Sequence, residues 1–413
     1  MEFIKEYDNG LKLVIKKMDG LLSVATGIFV KAGSRNEEKE ENGISHFIEH
    51  NMFKGTNKRT AFQISDDIDS IGSNINAFTS KECTCYYTLS TFEHQDETIE
   101  ILADIFLNST FPEEEIEKER GVVIEEINMT EDTPDEVCFD LLAIASYGDT
   151  GLGQTILGPI ENIKRFTRED IKKYIDKYYT PDNVTISIAG AVDIEKTVKK
   201  VEELFSPLIN STAKCERVEK QEKVTAENLY RIKDIEQAHI AFSLPAFALG
   251  HEDSEALKIA TIILGGGMSS RLFQKVREEM GLCYTVYAYP TYYEGCGKIE
   301  IYAGVNPEKR DDAVNAIKSV IKDFAENGIT EKEFISGREQ MKSAFILSQE
   351  STSSQMRIYG KECMYFSKIF DMNKKIEEIN SITIDKINAV IKEIYSNNAF
   401  ATATVGKKET PIK

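Results

Sequence analysis

One pattern occurs twice in this chain, and that repetition constrains the fold more than any other feature. Thr167–Gly190 (TREDIKKYIDKYYTPDNVTISIAG) aligns without a gap on Thr383–Gly406 (TIDKINAVIKEIYSNNAFATATVG), residue 167 on 383 and residue 190 on 406. Both copies read as a helix, a short polar turn and a strand ending at glycine. A period this long marks a duplicated domain, not a solenoid. At 413 residues the chain is also too long for one compact core. The expectation is α+β: two tandem homologous domains, 1–212 and 213–413, each a mainly antiparallel sheet with helices packed on it. The polar, aperiodic stretch Ser206–Glu222 reads as the linker.

Within that frame the halves differ in chemistry. Ser23–Ala32 and Ala238–Ala246 read as matching strands. After the first comes a turn at Asn42-Gly43 and a helical segment containing His46-Phe47-Ile48-Glu49-His50. Positions i, i+3 and i+4 share a helix face, so His46, Glu49 and His50 project together while Ile44, Phe47 and Ile48 turn to a core. Two imidazoles one turn apart suit zinc, and the carboxylate between them can deprotonate a water. The order is the inverse of the commoner His-Glu-x-x-His motif. The plainer reading is two surface histidines beside a solvated glutamate, but the chain has only five histidines to place. The matching segment of the second half, Ser254–Leu264, contains no histidine, and none follows His251. His94, His239 and His251 have no partner at ligand spacing and read as structural or surface residues.

Pro112 opens a long helix at the position where proline is tolerated best, with acids in its first turn, and the helix stops before Pro134. Glu119 and Glu126 lie two turns apart on a stripe shared with Val122 and Val123. Carboxylates on an apolar stripe need a partner, which a metal site would supply.

The net charge of −19 excludes the basic footprint of nucleic-acid binding. It suits either basic peptide substrates or simply an acidic surface. No apolar run reaches membrane-spanning length, and the N-terminus has neither signal-peptide nor transit-peptide layout. Seven scattered cysteines, an odd number, fit a reducing cytoplasm.

The inverted motif with its downstream glutamates resembles the insulinase/pitrilysin family of zinc peptidases, in its branch of short subunits similar to mitochondrial processing peptidase. The resemblance covers nearly the whole chain. In that family the third ligand is a glutamate about 76 positions after the second histidine, with another glutamate seven residues before it. Glu126 and Glu119 stand at those positions, and Glu125 lies about 100° round the helix. The resemblance implies that His46, His50 and Glu126 bind Zn2+, that Glu49 is the general base, and that Glu119 orients a ligand histidine. It further implies that Asn76-Ala77-Phe78 is an edge strand to which substrate adds, and that Arg277 and Tyr284 hold substrate near the scissile carbonyl. Gly265-Gly266-Gly267 is a weak phosphate-loop cue, and without a following Gly-Lys-Ser/Thr nucleotide binding is rejected.

The implied function is a zinc metalloendopeptidase acting on peptides or unfolded polypeptide. Its chamber would be formed by two subunits, a homodimer or a heterodimer with a paralogue, with neither nucleic acid nor membrane as partner. Two rivals are a non-catalytic scaffold or recognition subunit of the same fold, and a small-molecule lyase that takes a cysteine as third ligand. The first typically carries a broken motif, and the second is shorter and unduplicated.

Overall fold

In a computed structural model, residues 1–216, 222, 224–396 and 400–407 are described. The chain divides into two compact units, and each holds one sheet.

The first unit comprises Met1–Ile127, Thr155–Glu219 and Leu347–Phe370. Its sheet contains β1 (Glu2–Glu6), β2 (Lys12–Lys17), β3 (Ser23–Val30), β4 (Asn74–Thr79), β5 (Thr84–Thr91) and β6 (Val184–Gly190), in the order β1-β2-β6-β3-β5-β4. Only β2 and β6 pair in parallel. β3 and β6 are buried on nearly every residue, as strands covered on both faces must be. One face carries α1 (Ile44–Asn51), α2 (Ala61–Ser70), α3 (Gln95–Asn108) and the first turns of α4 (Glu113–Glu131), packed through Ile28, Phe47, Ile48, Tyr86, Ile99, Phe106 and Val123. The other face is covered by the helix Thr352–Phe366, from far along the chain. Met356, Tyr359 and Cys363, at helical spacing, are its buried stripe. The helix lies close on β3 because Gly27 and Gly360 lack side chains: a Cβ at Gly360 would collide with the Phe29 ring.

The second unit comprises Asn128–Gln154, Lys220–Ile346 and Asp371–Lys413. Its strands are β7 (Asn228–Ile232), β8 (Ala238–Ala246), β9 (Cys283–Tyr293), β10 (Cys296–Val305) and β11 (Ala401–Gly406), in the order β7-β11-β8-β10-β9. Reading β7 for β2, β11 for β6, β8 for β3, β10 for β5 and β9 for β4 reproduces the first sheet apart from its edge strand β1, including the parallel pair. The repeat seen in the sequence is therefore the helix and strand at the same place in each sheet. The fold is α+β with two units of one topology.

The units are not the two halves of the chain. α5 (Pro134–Tyr147) belongs to the second unit, where Val137, Cys138 and Leu142 pack on Ala241, Ala403 and Val405. The halves 1–212 and 213–413 thus exchange one helix each. Two further expectations, on Val122 and on the linker, differ from the structure. Val122 is exposed, so the stripe of α4 runs through Glu119, Val123 and Glu126 without it. The helix α4 does stop before Pro134, as expected, and Pro134 then starts the next helix, α5. The linker Ser206–Glu222 opens with a helical turn, Ser206–Ile209, and 217–221 lie outside the described residues.

Candidate metal centre

The helix that carries the motif is anchored at its start. Gly43 takes φ of 99°, a conformation that favours glycine, and turns the chain into α1. The buried Glu37 carboxylate then accepts the N–H groups of Gly43 and Ser45, each at 2.8 Å, and the Asn42 side-chain amide at 3.0 Å. A carboxylate at a helix N-terminus meets both unsatisfied donors and the positive end of the dipole. Ser45 and Tyr174 share a hydroxyl hydrogen bond of 2.8 Å, tying the same turn to the helix Arg168–Tyr178. Phe47 and Ile48 are fully buried, and α1 meets α4 where His46 and His50 approach Glu119 and Glu126. Arg120 holds α4 in place by donating to the carbonyls of Ile163 and Phe166 while its guanidinium lies over the Phe47 ring.

Two helices so fixed bring His46, His50 and Glu126 together, with one ligand atom from each within 4.8 Å of the others. Glu126 Oε2 stands 3.6 Å from His46 Nε2 and 3.3 Å from His50 Nε2. On the far side of His50, Nδ1 meets Glu119 Oε2 at 3.1 Å, and Lys54 Nζ meets Glu119 Oε1 at 2.7 Å. A proton on Nδ1, given to Glu119, leaves the Nε2 lone pair facing Glu126. Glu125 points to solvent, as the 100° offset requires.

The electrostatics fit a cation. Burial and the neighbouring His50 push His46 down to about 4, so its ring is neutral at pH 7. Burial also acts on His50, but the carboxylates of Glu119 and Glu126 outweigh it and lift the group to about 9. Contact with His50 holds Glu126 low. Burial opposes ionisation of Glu119, but His50 and Lys54 keep it charged. Two carboxylates bracketing one imidazole ask for positive charge there, and a divalent cation satisfies that demand with both rings neutral. Two imidazole nitrogens and one carboxylate are also a donor set that zinc takes in open sites.

Glu49 is beside the trio without belonging to it. Burial raises its pKa, and its Oε2 accepts a hydrogen bond from the Thr79 hydroxyl. Asn76, Ala77 and Phe78 lie on β4, which pairs with β5 alone and so ends the sheet. The Ala77 N–H donates to Asn76 Oδ1 at 2.8 Å. Arg277 and Tyr284 are in the second unit. Arg277 sits in a π-helical segment, Phe273–Glu279, with its guanidinium 4.9 Å from the centre of the Tyr284 ring, and Tyr284 is 74% exposed. The other histidines have ordinary neighbours: His94 meets Glu97, His239 meets the Tyr302 hydroxyl, and His251 stacks on Phe247. From the sequence alone neither Lys54 nor Thr79 was assigned a role. Lys54 is one turn beyond His50, a spacing that could have paired it with Glu119, whereas nothing local marks Thr79.

An inverted His-x-x-Glu-His helix joined to a glutamate of a second helix, in the first of two units of one topology, defines the class as the inverted-motif zinc proteases. The chain belongs to the insulinase family, peptidase family M16: the model of that description matches residues 13–160, and the one described as the peptidase M16 inactive domain matches 165–341. It is 40% identical to an uncharacterized zinc protease of Bacillus subtilis, YmxG, over 96% of both chains. It is 34% identical to an uncharacterized zinc protease of Streptomyces coelicolor, over 93% of this chain and 85% of that one. In fold it is similar to a protease from Helicobacter pylori, with TM-score 0.88, 22% identity, and coverage of 98% and 99%. It is also similar to a peptidase M16 inactive domain from Pseudomonas fluorescens, with TM-score 0.91, 17% identity and 98% of both chains covered.

Proposed function

We propose that the protein is a zinc-dependent endopeptidase that cuts peptides or unfolded segments inside a chamber formed by two subunits. The observation that carries this is the convergence of His46, His50 and Glu126 with Glu49 alongside. His46, His50 and Glu126 hold the ion; the chemistry it supplies is Lewis acidity, enough to polarise a peptide carbonyl and bring the pKa of water near neutral. Glu49 takes the proton of the attacking water and returns it to the leaving amine. Glu119, with Lys54 behind it, fixes the ring of His50. The unpaired edge of β4 accepts an extended substrate through main-chain hydrogen bonds at Asn76-Ala77-Phe78. Arg277 and Tyr284 steady the developing negative charge. The scaffold reading draws support from the inactive-domain model that matches residues 165–341, but the metal-binding trio and Glu49 all precede that stretch.

The test is cleavage of a library of unstructured peptides by purified protein of known metal content. About one zinc per chain is expected, lost to chelators together with activity and restored with it. A pairing strand needs several free residues on each side of the bond, so long peptides should be cut, while dipeptides and stable folded proteins are spared. A zinc-loaded chain that leaves every peptide intact would establish the scaffold reading instead.

A further inference from the structure

The base assigned to Glu49 and the strand assigned to substrate are joined by one side chain. β4 alternates in the ordinary way, with Ile75 and Ala77 packed towards the helices and Phe78 turned to the opposite face beside Tyr87. Thr79, the last residue of β4, shares the parity of Ile75 and Ala77 and so faces α1. Its Oγ1 donates to Glu49 Oε2 across 2.5 Å. Among the described residues this is the hydrogen bond that the Glu49 side chain makes, and its Oε1 is left unengaged.

We infer that Thr79 is a positioning residue for the general base, a role that rests on the endopeptidase reading. A glutamate has three rotors, and on α1 nothing else holds this carboxylate in one orientation. A hydroxyl given to an ionised oxygen is among the stronger hydrogen bonds, and it selects one rotamer. It also makes the two oxygens unequal: Oε2 is occupied, so Oε1 is the oxygen that takes the proton. Because Thr79 closes β4, a strand pairing with the open edge stiffens the backbone that aims the base. Substrate binding and orientation of Glu49 are thereby linked through one residue, and the link acts on turnover more than on affinity.

The experiment compares Thr79→Val, which keeps the shape and removes the donor, with Thr79→Ser, which keeps the donor. Thr79→Val should bind zinc fully and lose about tenfold or more in kcat, with KM changed by less than about twofold. Thr79→Ser should recover most of the loss, which a purely structural role for the methyl group would not allow. In a Glu49→Gln background, Thr79→Val should lower the residual rate no further. A second cycle, Thr79→Val against Glu49→Ala, is read in thermal unfolding, where a real contact gives non-additive shifts. Wild-type kcat in Thr79→Val, or a loss that Thr79→Ser does not restore, overturns the inference. If zinc-loaded wild type cuts nothing, the endopeptidase reading has failed; non-additive unfolding then upholds the coupling of Thr79 to Glu49, and additive unfolding overturns it.

Discussion

His50 stands between two carboxylates with different tasks. Glu126 faces its Nε2, where it would share the ion; Glu119 faces Nδ1, where it sets which nitrogen carries the proton. That division predicts a ranking. Glu126→Gln, which removes an anionic ligand, should weaken zinc binding most. Glu119→Gln should cost about 10–100-fold in affinity. Glu49→Gln should leave affinity near wild type yet lower turnover at least about a hundredfold, since it removes the base but no ligand. Competition against a chelator of known affinity, with peptide cleavage in parallel, checks all three. Full zinc occupancy in Glu126→Gln under that competition would sink the ligand assignment. The histidine motif and the stacking of the two glutamates were legible because helical spacing is local information, whereas the link from Glu126 to the histidines was implied by the family resemblance alone. His46, Glu49 and His50 share a turn, and Glu119 and Glu126 are two turns apart. Thr79 was not legible, since its contact depends on where β4 ends relative to α1, which no spacing encodes.

Among the elements, the long strands and the helices with a clean apolar stripe were readable, and Ala238–Ala246 was placed at its observed ends. α5 was not. Pro134 looked like a stop, and Val137–Ala145 is apolar nearly all round, because the surface it covers is β8 and β11, far away in sequence. Polar anchoring at helix starts is easier to test. The helix Glu331–Ser348 is pinned by Glu333, whose carboxylate takes Arg271 at 2.7 and 2.9 Å and both the N–H and the hydroxyl of Thr330. Burial opposes its ionisation, but these donors win and hold its pKa at about 2 instead of 4.5. A depressed carboxylate contributes stability that is fully present above pH 4.5 and is lost as pH falls through about 2. Allowing for solvent screening, Glu333→Gln should cost about 1–2 kcal/mol at pH 7. Denaturant titrations should show wild type and variant converging as pH drops from 4.5 towards 2; a constant gap would refute the assignment.

For the whole molecule, duplication was visible in the sequence because helix and strand recur at one offset, but the exchange of helices was not, since neither α5 nor Thr352–Phe366 belongs to the copy that aligns. The asymmetry of the halves bears on the two-subunit proposal. The metal-binding trio is in the first half and the Arg277–Tyr284 pair in the second, so paired chains can complete each other. Glu49→Gln and Tyr284→Phe chains should each be poor enzymes alone. Mixed equally under conditions that allow exchange, they should recover about a quarter of wild-type activity, because half the dimers are hybrids with one intact site each. Activity that merely averages the two variants, despite demonstrated exchange, would show that the pair serves its own chain. The helix exchange has a consequence of another kind. If the chain is severed once in the stretch after Ser211, the pieces do not come away as two domains. Each fragment retains a helix that is core to the other's sheet, and losing it would bare Phe29 and Val14 on one side and Ala241 and Ala403 on the other. The covalent join between the halves is thus a redundant tether, and a protein nicked there keeps its partnership until both sheets come apart.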